Sequence, residues 1–199
     1  VGRTGSNFGI NHWDTVPDII TTAKGLASGY APLGAVVVHQ RIVETLMKGN
    51  RTGVPTFVTY SGHPVSCAAG LAVQKYIEKH NLIHRCSNTG KYLKKRLWEL
   101  GGREGLIGDV RGKGLFLGVE FVQDRQTHKP FPRSMRFIEK VVDMAFEKGL
   151  LLRGGTGIGP ETNGDYLMLT PPFTLTMKEC DQLVYILELT IKEVKRSLS

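Results

Sequence analysis

The sequence predicts a mixed α/β fold, and three observations lead to this prediction. Short β-branched and aliphatic runs, which are typical of strands, alternate with longer segments whose apolar residues recur at helical spacing. Glycine and proline, 24 and 9 of the 199 residues, mark the turns between these segments. The hydrophobic fraction of 41% and the charged fraction of 22% exclude a disordered polar chain and are typical of a globular one.

The first 80 residues predict two strands and two helices. Asp14 to Ala23 contains a proline followed by β-branched residues, which is a strand pattern. Gly34 to His39 is apolar throughout and predicts a second strand, buried on both faces. A short helix is expected over 41–48. A longer one is expected over 64–80, because proline favours the first turn of a helix.

The rest of the chain predicts three more helices and three more strands. Thr176 and Glu179 have the spacing of a capping box and predict the start of the last helix. A change in character near residue 72 predicts a domain boundary between 1–72 and 73–199. In chain order the expected elements are a helix over 82–100, strands over 110–121 and 150–153, and helices over 134–148 and 176–198, with a further strand over 166–170.

The net charge of +8 concentrates on one predicted helix, where Lys91 to Arg96 carries four cations. Leu93 and Leu97 form an apolar stripe at helical spacing, so the cations fall on the opposite face. Such a face is either a phosphate-binding footprint or an ordinary solvated surface. We favour the solvated surface, because no nucleic-acid-binding motif accompanies the charge, and we expect no nucleic-acid partner.

The sequence gives little evidence for membrane association, nucleotide binding, serine catalysis or metal binding. The longest aliphatic stretch, Ala35 to Val38, is far too short to span a membrane, so no membrane association is expected. An odd count of three cysteines favours reduced thiols in the cytoplasm, with an organelle matrix as the alternative. Dinucleotide-binding, phosphate-loop and serine-nucleophile motifs are absent from the sequence. His80 and His84 have helical metal-ligand spacing but lack a matching carboxylate, so no metal site is expected.

One lysine lies at the end of a predicted strand and enters a glycine-rich turn, in the segment Thr21-Thr22-Ala23-Lys24-Gly25-Leu26. Ligands of α/β sheets gather at strand ends, and desolvation of Lys24 there would favour the neutral, nucleophilic amine. Such an amine suits Schiff-base chemistry. Taken alone, the residue pattern is weak evidence for such a role and favours a solvated surface lysine.

Several motifs together resemble the class III aminotransferases, which are pyridoxal-phosphate enzymes. The resemblance extends over essentially the whole chain, in the order and spacing of the family. It is carried by Gly2-Arg-Thr-Gly5, Pro17-Asp-Ile-Ile-Thr-Thr-Ala-Lys24-Gly-Leu, Gly29-Tyr-Ala-Pro-Leu-Gly-Ala35, Thr59-Tyr-Ser-Gly62-His-Pro64, Val110-Arg-Gly-Lys-Gly-Leu115 and Leu169-Thr-Pro-Pro172.

The resemblance implies the fold of type I pyridoxal-phosphate enzymes and a role for particular residues. Lys24 would form the Schiff base with pyridoxal phosphate and then carry the proton of the transfer. Thr59 would donate its hydroxyl to the cofactor phosphate in the site of a neighbouring subunit, which implies a homodimer with shared sites. The turn at Ser61-Gly62 would add backbone amides to that phosphate site. Residues 1–72 would end the large cofactor domain, and 73–199 would form the small C-terminal domain.

The resemblance also bears on the substrate. Some members of the family bind an α-carboxylate with an arginine just before the Pro-Pro pair, and by spacing that position is Met168. An apolar residue there favours an amine or ω-amino acid as donor, with a keto acid as acceptor. Arg153 remains a candidate for holding a carboxylate. Arg111 is expected to have a structural or substrate-channel role, and the loop 154–164 flanks the site entrance or is a surface connection.

Three readings of function therefore stand. The first is a transaminase, of which this chain, beginning at Val1, resembles the C-terminal half and is expected to bind cofactor poorly on its own. The second is a lyase, racemase or mutase that uses the same cofactor and the same Lys24. The third is a truncated, non-catalytic fragment that binds a partner through the basic face at 91–96.

Overall fold

The computed structural model describes residues 1–49, 58–159 and 163–198. They divide into two compact units, each with its own internal contacts. Unit 1 consists of Val1 and Asn7–Leu82, and unit 2 consists of Gly2–Ser6 and Ile83–Ser199. Both helices and sheets are present, so the predicted α/β class is confirmed.

Unit 1 contains a two-stranded ribbon and two helices. Strands β1 (Ile19–Thr22) and β2 (Ala35–Val38) pair antiparallel along their whole length. Helix α1 (Gln40–Gly49) follows β2 directly. Helix α2 (Pro64–Lys79) begins with its proline in the first turn, as the sequence predicts.

The prediction that β2 is buried on both faces is wrong. Val36 and Val37 are 63% and 52% exposed, and Ala35 is exposed as well. Among the described residues, β2 pairs with β1 alone, so the ribbon carries no second layer there. The apolar run identified the strand correctly, but its burial depends on what packs over it.

Unit 2 is a four-stranded antiparallel sheet with three helices. The strand order is β3-β4-β6-β5, and every neighbouring pair is antiparallel. Helix α3 begins at the boundary between the units. The elements are α3 (Leu82–Glu104), β3 (Ile107–Lys113), β4 (Phe116–Phe121), α4 (Phe137–Glu147), β5 (Arg153–Gly155), β6 (Asp165–Leu169) and α5 (Met177–Ser197).

The core of unit 2 lies between the sheet and the helices. The apolar stripe predicted on α3 is confirmed, because Leu93, Leu97 and Leu100 are fully buried. Phe121 packs against Phe137 with ring centroids 5.3 Å apart. Fully burying a side chain of this size contributes about 1.5–3 kcal/mol to folding, so each of these residues stabilises unit 2.

Two strand predictions in unit 2 need correction. The expected single strand over 110–121 is a hairpin of β3 and β4, because the chain reverses between Lys113 and Phe116, where Gly114 adopts a left-handed φ of +54°. The strand expected over 150–153 instead begins at Arg153 and ends at Gly155. Its position follows from pairing with β6, which the local sequence does not encode.

The start of α5 is as predicted. The Thr176 hydroxyl accepts a hydrogen bond from the Glu179 amide, and the Glu179 carboxylate accepts one from the Thr176 amide. Within the described ranges, no helix is long and apolar enough to cross a membrane. The same residues contain no cluster of three or more potential metal ligands.

Candidate active site

Lys24 lies two residues beyond the end of β1 and opens a short 3-10 turn, Lys24–Leu26. Its backbone is left-handed, with φ of +53°. This conformation costs a residue other than glycine about 1–2 kcal/mol, so it persists only where the surrounding contacts hold it. The Lys24 side chain is exposed, which corrects the expectation of a desolvated amine for the described chain.

The turn of Lys24 is attached to helix α2 of the same unit. Inside the turn, the Leu26 amide donates to the Ala23 carbonyl at 3.2 Å. The Gln74 side-chain amide donates to the Leu26 carbonyl at 2.8 Å. Ala27, the next residue, is completely buried. The backbone that carries the lysine is therefore held from both sides of Leu26.

Glycine at position 70 of α2 allows the helix to approach this segment closely. A Cβ atom built on Gly70 would lie 2.4 Å from the Leu33 side chain and 3.9 Å from the Leu26 carbonyl oxygen. Gly70 is itself buried. The small residues that the sequence places early in α2 thus pack against the segment that follows Lys24.

Thr59 and Ser61 lie in the turn that leads into α2, and both side chains are exposed. The Ser61 amide donates to the Val58 carbonyl at 3.0 Å, and the His63 amide donates to the Tyr60 carbonyl at 3.2 Å. Because the Ser61 amide is used inside the turn, its hydroxyl is the group that it offers to a ligand. This differs from the expected contribution of its backbone amide.

The chemistry of this turn fits a phosphate group. Two exposed hydroxyls precede the N-terminus of a 16-residue helix, where the helix dipole favours an anion. The N-cap residue, His63, makes no side-chain capping hydrogen bond. The primary amine of Lys24 likewise fits the aldehyde of pyridoxal phosphate. The residues present in unit 1 are thus compatible with this cofactor.

Unit 2 contains the other two candidate residues, side by side. Arg153 on β5 pairs directly with Met168 on β6. Arg153 is exposed and Met168 is half-buried. Among the described residues, no acidic group forms an ion pair with Arg153. Both residues border a groove of about 420 Å³ that is lined by Leu150, Leu151, Leu152, Arg153, Met168, Leu169, Thr170, Pro171 and Leu183.

Arg111 has a structural role. Its guanidinium lies 2.7 Å from both the Asp109 and the Glu120 carboxylates, and these two hydrogen bonds raise the pKa of Arg111. The interaction joins β3 to β4. Because its charge is neutralised in place, Arg111 is a poor candidate for holding a substrate anion.

The basic face of α3 is also partly neutralised. Arg96 donates to Asp181 at 2.9 Å and to Glu99 at 3.2 Å. Lys95 lies 3.9 Å from Glu99. Half of the cations between 91 and 96 therefore serve contacts within unit 2, which argues against a continuous surface for binding phosphates.

The sequence did not predict the contacts of two residues, Gln74 and Arg3. Gln74 is an ordinary polar residue on an amphipathic helix, and no local pattern distinguishes it. Arg3 donates to the Leu115 and Pro171 carbonyls and lies 4.8 Å from the Phe173 ring. Burial lowers the pKa of Arg3. Its place in the Gly2–Gly5 motif was a usable signal, but that motif alone does not reveal its partners.

Comparison with known proteins places the chain in a family. The model of the family "Aminotransferase class-III" matches residues 1–191. The chain belongs to the class III aminotransferases. A relative from Bacillus subtilis, described as the uncharacterized aminotransferase YodT, is 41% identical over 198 residues, which is 100% of this chain and 44% of that protein.

Solved structures of transaminases have the same fold. One, from the marine bacterium Virgibacillus, matches with a TM-score of 0.93 and 35% identity, over 100% of this chain and 44% of its own. An amine transaminase from an uncultivated Pseudomonas species, in its PLP-bound form, matches with a TM-score of 0.85 and 34% identity, over 97% of this chain and 42% of its own. The chain thus spans less than half the length of these class III relatives and corresponds to their C-terminal part.

Proposed function

We propose that this chain belongs to a transaminase that moves an amino group from an amine or ω-amino acid to a keto acid. The observation that carries the proposal is Lys24, whose exposed amine follows β1 in a backbone conformation held by its surroundings. Pyridoxal phosphate, the cofactor of the family, would withdraw electrons from the substrate carbon when bound.

In this proposal Lys24 is the residue that links covalently to the cofactor. Once released from that link, the Lys24 amine would take a proton from the substrate carbon and deliver it to the C4′ atom of the cofactor. The left-handed backbone of Lys24 supports this role, because strained residues concentrate at functional sites.

Thr59 and Ser61 are proposed to hold the cofactor phosphate. Their exposed hydroxyls and the N-terminus of α2 supply donors to an anion. By resemblance, Thr59 acts in the site of the second subunit, so we propose a homodimer in which each protomer completes the site of the other.

Arg153 and Met168 are proposed to border the substrate. Arg153 has an exposed guanidinium and would hold the carboxylate of the keto acid. Met168 lies directly opposite Arg153 and offers a thioether at the position where, by the resemblance, some members of the family carry an arginine. This arrangement favours an amine or ω-amino acid over an α-amino acid as donor.

The proposal also assigns domains and a compartment. Residues 1–72 are the end of the large cofactor domain and 73–199 are the small domain.

All three cysteines are free, and Cys86 and Cys180 are buried. Burial raises the pKa of Cys180 to about 11. Three unpaired thiols favour a reducing compartment, so we propose the cytoplasm or an organelle matrix.

Two other functions remain to be separated from transamination by experiment. A lyase, racemase or mutase would use the same lysine and cofactor, and it differs by releasing ammonia or an isomer in place of a keto acid. The hypothesis of a non-catalytic fragment that binds through residues 91–96 is less well supported, because Arg96 is already engaged in ion pairs within the chain. That hypothesis requires nucleic-acid binding at low salt, where electrostatic contacts are strongest.

Borohydride reduction of the whole protein with pyridoxal phosphate, followed by peptide mass mapping, tests the proposal. We expect a stable pyridoxyl group on Lys24. Lys24→Ala should abolish the label, whereas Lys75→Ala, which removes an exposed lysine from α2, should retain it. A folded wild-type protein with no label on Lys24 would refute the assignment of this lysine.

A further inference from the structure

The strained turn at Lys24 requires something to hold it. Its left-handed backbone is followed by a second one at Ser28, with φ of +51°. Two such residues within five positions do not form by local preference, because β-carbon clashes disfavour them. The conformation must therefore depend on contacts from outside the turn.

Helix α2 supplies such contacts, and one of them is a hydrogen bond, which depends on direction as well as distance. The Gln74 side chain donates to the Leu26 carbonyl at 2.8 Å, across 48 residues of sequence. Gln74 is half-buried, so this hydrogen bond is partly shielded from water. Leu26 ends the 3-10 turn that Lys24 begins. The hydrogen bond thus fixes the far end of the segment that carries the amine.

We infer that Gln74 is a positioning residue for Lys24, an inference that rests on the proposed role of Lys24 in binding the cofactor. The Gln74 side chain touches neither substrate nor cofactor in this role. It fixes the direction of the Leu26 carbonyl. It thereby fixes the conformation of the backbone from which the Lys24 side chain extends. A misplacement of about 1 Å in a reacting group is enough to slow catalysis by about a hundredfold.

The test compares Gln74→Met with Gln182→Met in the whole protein. Methionine keeps the length and helix propensity of glutamine but removes the donor. Gln182 is an exposed residue of α5, and the same substitution there controls for the chemical change itself. Gln74→Glu, an isostere that presents an oxygen to the Leu26 carbonyl, is the second variant if Gln74→Met does not fold.

The first measurement is amide hydrogen exchange of the cofactor-free protein. In Gln74→Met, the peptide containing Leu26 to Tyr30 should exchange about tenfold faster, because loss of one shielded hydrogen bond changes a local opening equilibrium by about that factor. Peptides of α5 should be unchanged. Gln182→Met should match the wild type throughout.

The second measurement is kinetic. Gln74→Met should lower kcat about tenfold while KM changes less than about twofold, since a displaced amine affects the reaction more than substrate binding. It should also shift the pH midpoint of the visible absorbance of the bound cofactor. A purely structural role would lower thermal stability and leave this midpoint in place.

The outcomes separate this inference from the proposed function. Wild-type exchange, kcat and absorbance midpoint in Gln74→Met, with the label still on Lys24, would overturn the role of Gln74 alone. A wild-type protein that carries no label on Lys24 would overturn the proposed function, and with it this inference. Faster exchange together with the kinetic change would support both.

Discussion

Arg153 and Met168 face each other across β5 and β6 as a directly opposed pair. Side chains at such positions lie on the same face of a sheet and within contact distance. The pair therefore places one exposed guanidinium beside one thioether, at the edge of a groove of about 420 Å³. This neighbourhood is suited to a ligand with a carboxylate at one end and an apolar remainder.

Met168→Arg should broaden the donor range. A guanidinium at this position would offer a paired interaction to an α-carboxylate, and we expect about a tenfold increase in kcat/KM for α-amino acid donors. Because it would face Arg153, the variant should lose up to about 1 kcal/mol of unfolding free energy. The measurement is a comparison of steady-state rates with α- and ω-amino donors. An equal gain in the uncharged control, Met168→Gln, would show that charge is not the cause.

Substitutions of Lys24 should separate its chemistry from its conformation. Lys24→Ala and Lys24→Gly should both abolish transamination, because each removes the amine. Lys24→Gly should be about 1 kcal/mol more stable than Lys24→Ala, since only glycine adopts a φ of +53° without strain. Urea denaturation of the two variants measures this difference. Equal stability would mean that the left-handed conformation carries no strain.

Two glycines of α3 should respond in opposite directions to alanine. A Cβ on Gly90 would lie 2.1 Å from the carbonyl oxygen of Gly114, in the tight turn between β3 and β4. Backbone cannot move aside easily, so Gly90→Ala should lower the unfolding free energy by about 3 kcal/mol. A Cβ on Gly102 meets only a side-chain atom of Arg125 at 3.8 Å.

The matched control on the same helix is therefore Gly102→Ala. It should raise the unfolding free energy by about 0.5–1 kcal/mol through helix propensity alone. Thermal or urea denaturation of both variants measures the contrast. Destabilisation of the two variants by similar amounts would contradict the proposed close approach of Gly90 to the turn.

The start of α5 should weaken in acid. The Thr176 amide and hydroxyl each donate to the Glu179 carboxylate at 2.7 Å and lower the pKa of Glu179. A lowered pKa means that this stabilisation is complete above the unfolded-state value, about 4.3, and is lost as the pH falls through the folded-state value. Glu179→Gln should therefore be less stable than the wild type at neutral pH.

The difference between Glu179→Gln and the wild type should shrink as the pH falls below about 4. Urea denaturation at pH 7, 5 and 3.5 measures it. Thr176→Ala provides a reference, because loss of the N-cap hydroxyl should lower the unfolding free energy by about 1 kcal/mol at neutral pH. A difference between Glu179→Gln and the wild type that is independent of pH would rule out the titration of Glu179 as its source.

The elements that the sequence predicted well are those with local signals. Helix α2 begins at its proline, α3 begins at Leu82 as expected, and α5 begins after its capping threonine. The buried stripe of α3 was likewise predicted from helical spacing. Each of these features depends on residues within about one helical turn of each other.

The predictions that failed concern relations between distant segments. The burial of β2 depends on what packs over it, and the described chain leaves Val36 and Val37 exposed. The hairpin of β3 and β4, which turns between Lys113 and Phe116, was predicted as one strand, because an apolar run does not show where the chain reverses. The amine of Lys24 was expected to be desolvated, but it is exposed in the described chain. Its burial, like that of β2, depends on what packs over it.

The sequence by itself determined the fold class, the family resemblance and the candidate residues Lys24, Thr59 and Arg153. Local spacing and motif order suffice for these. Only the tertiary structure decided that the turn of Lys24 is held by Gln74, and that Arg153 faces Met168. Hydrogen bonds and strand register join residues 15 to 48 positions apart, and such contacts arise from packing that no local pattern encodes.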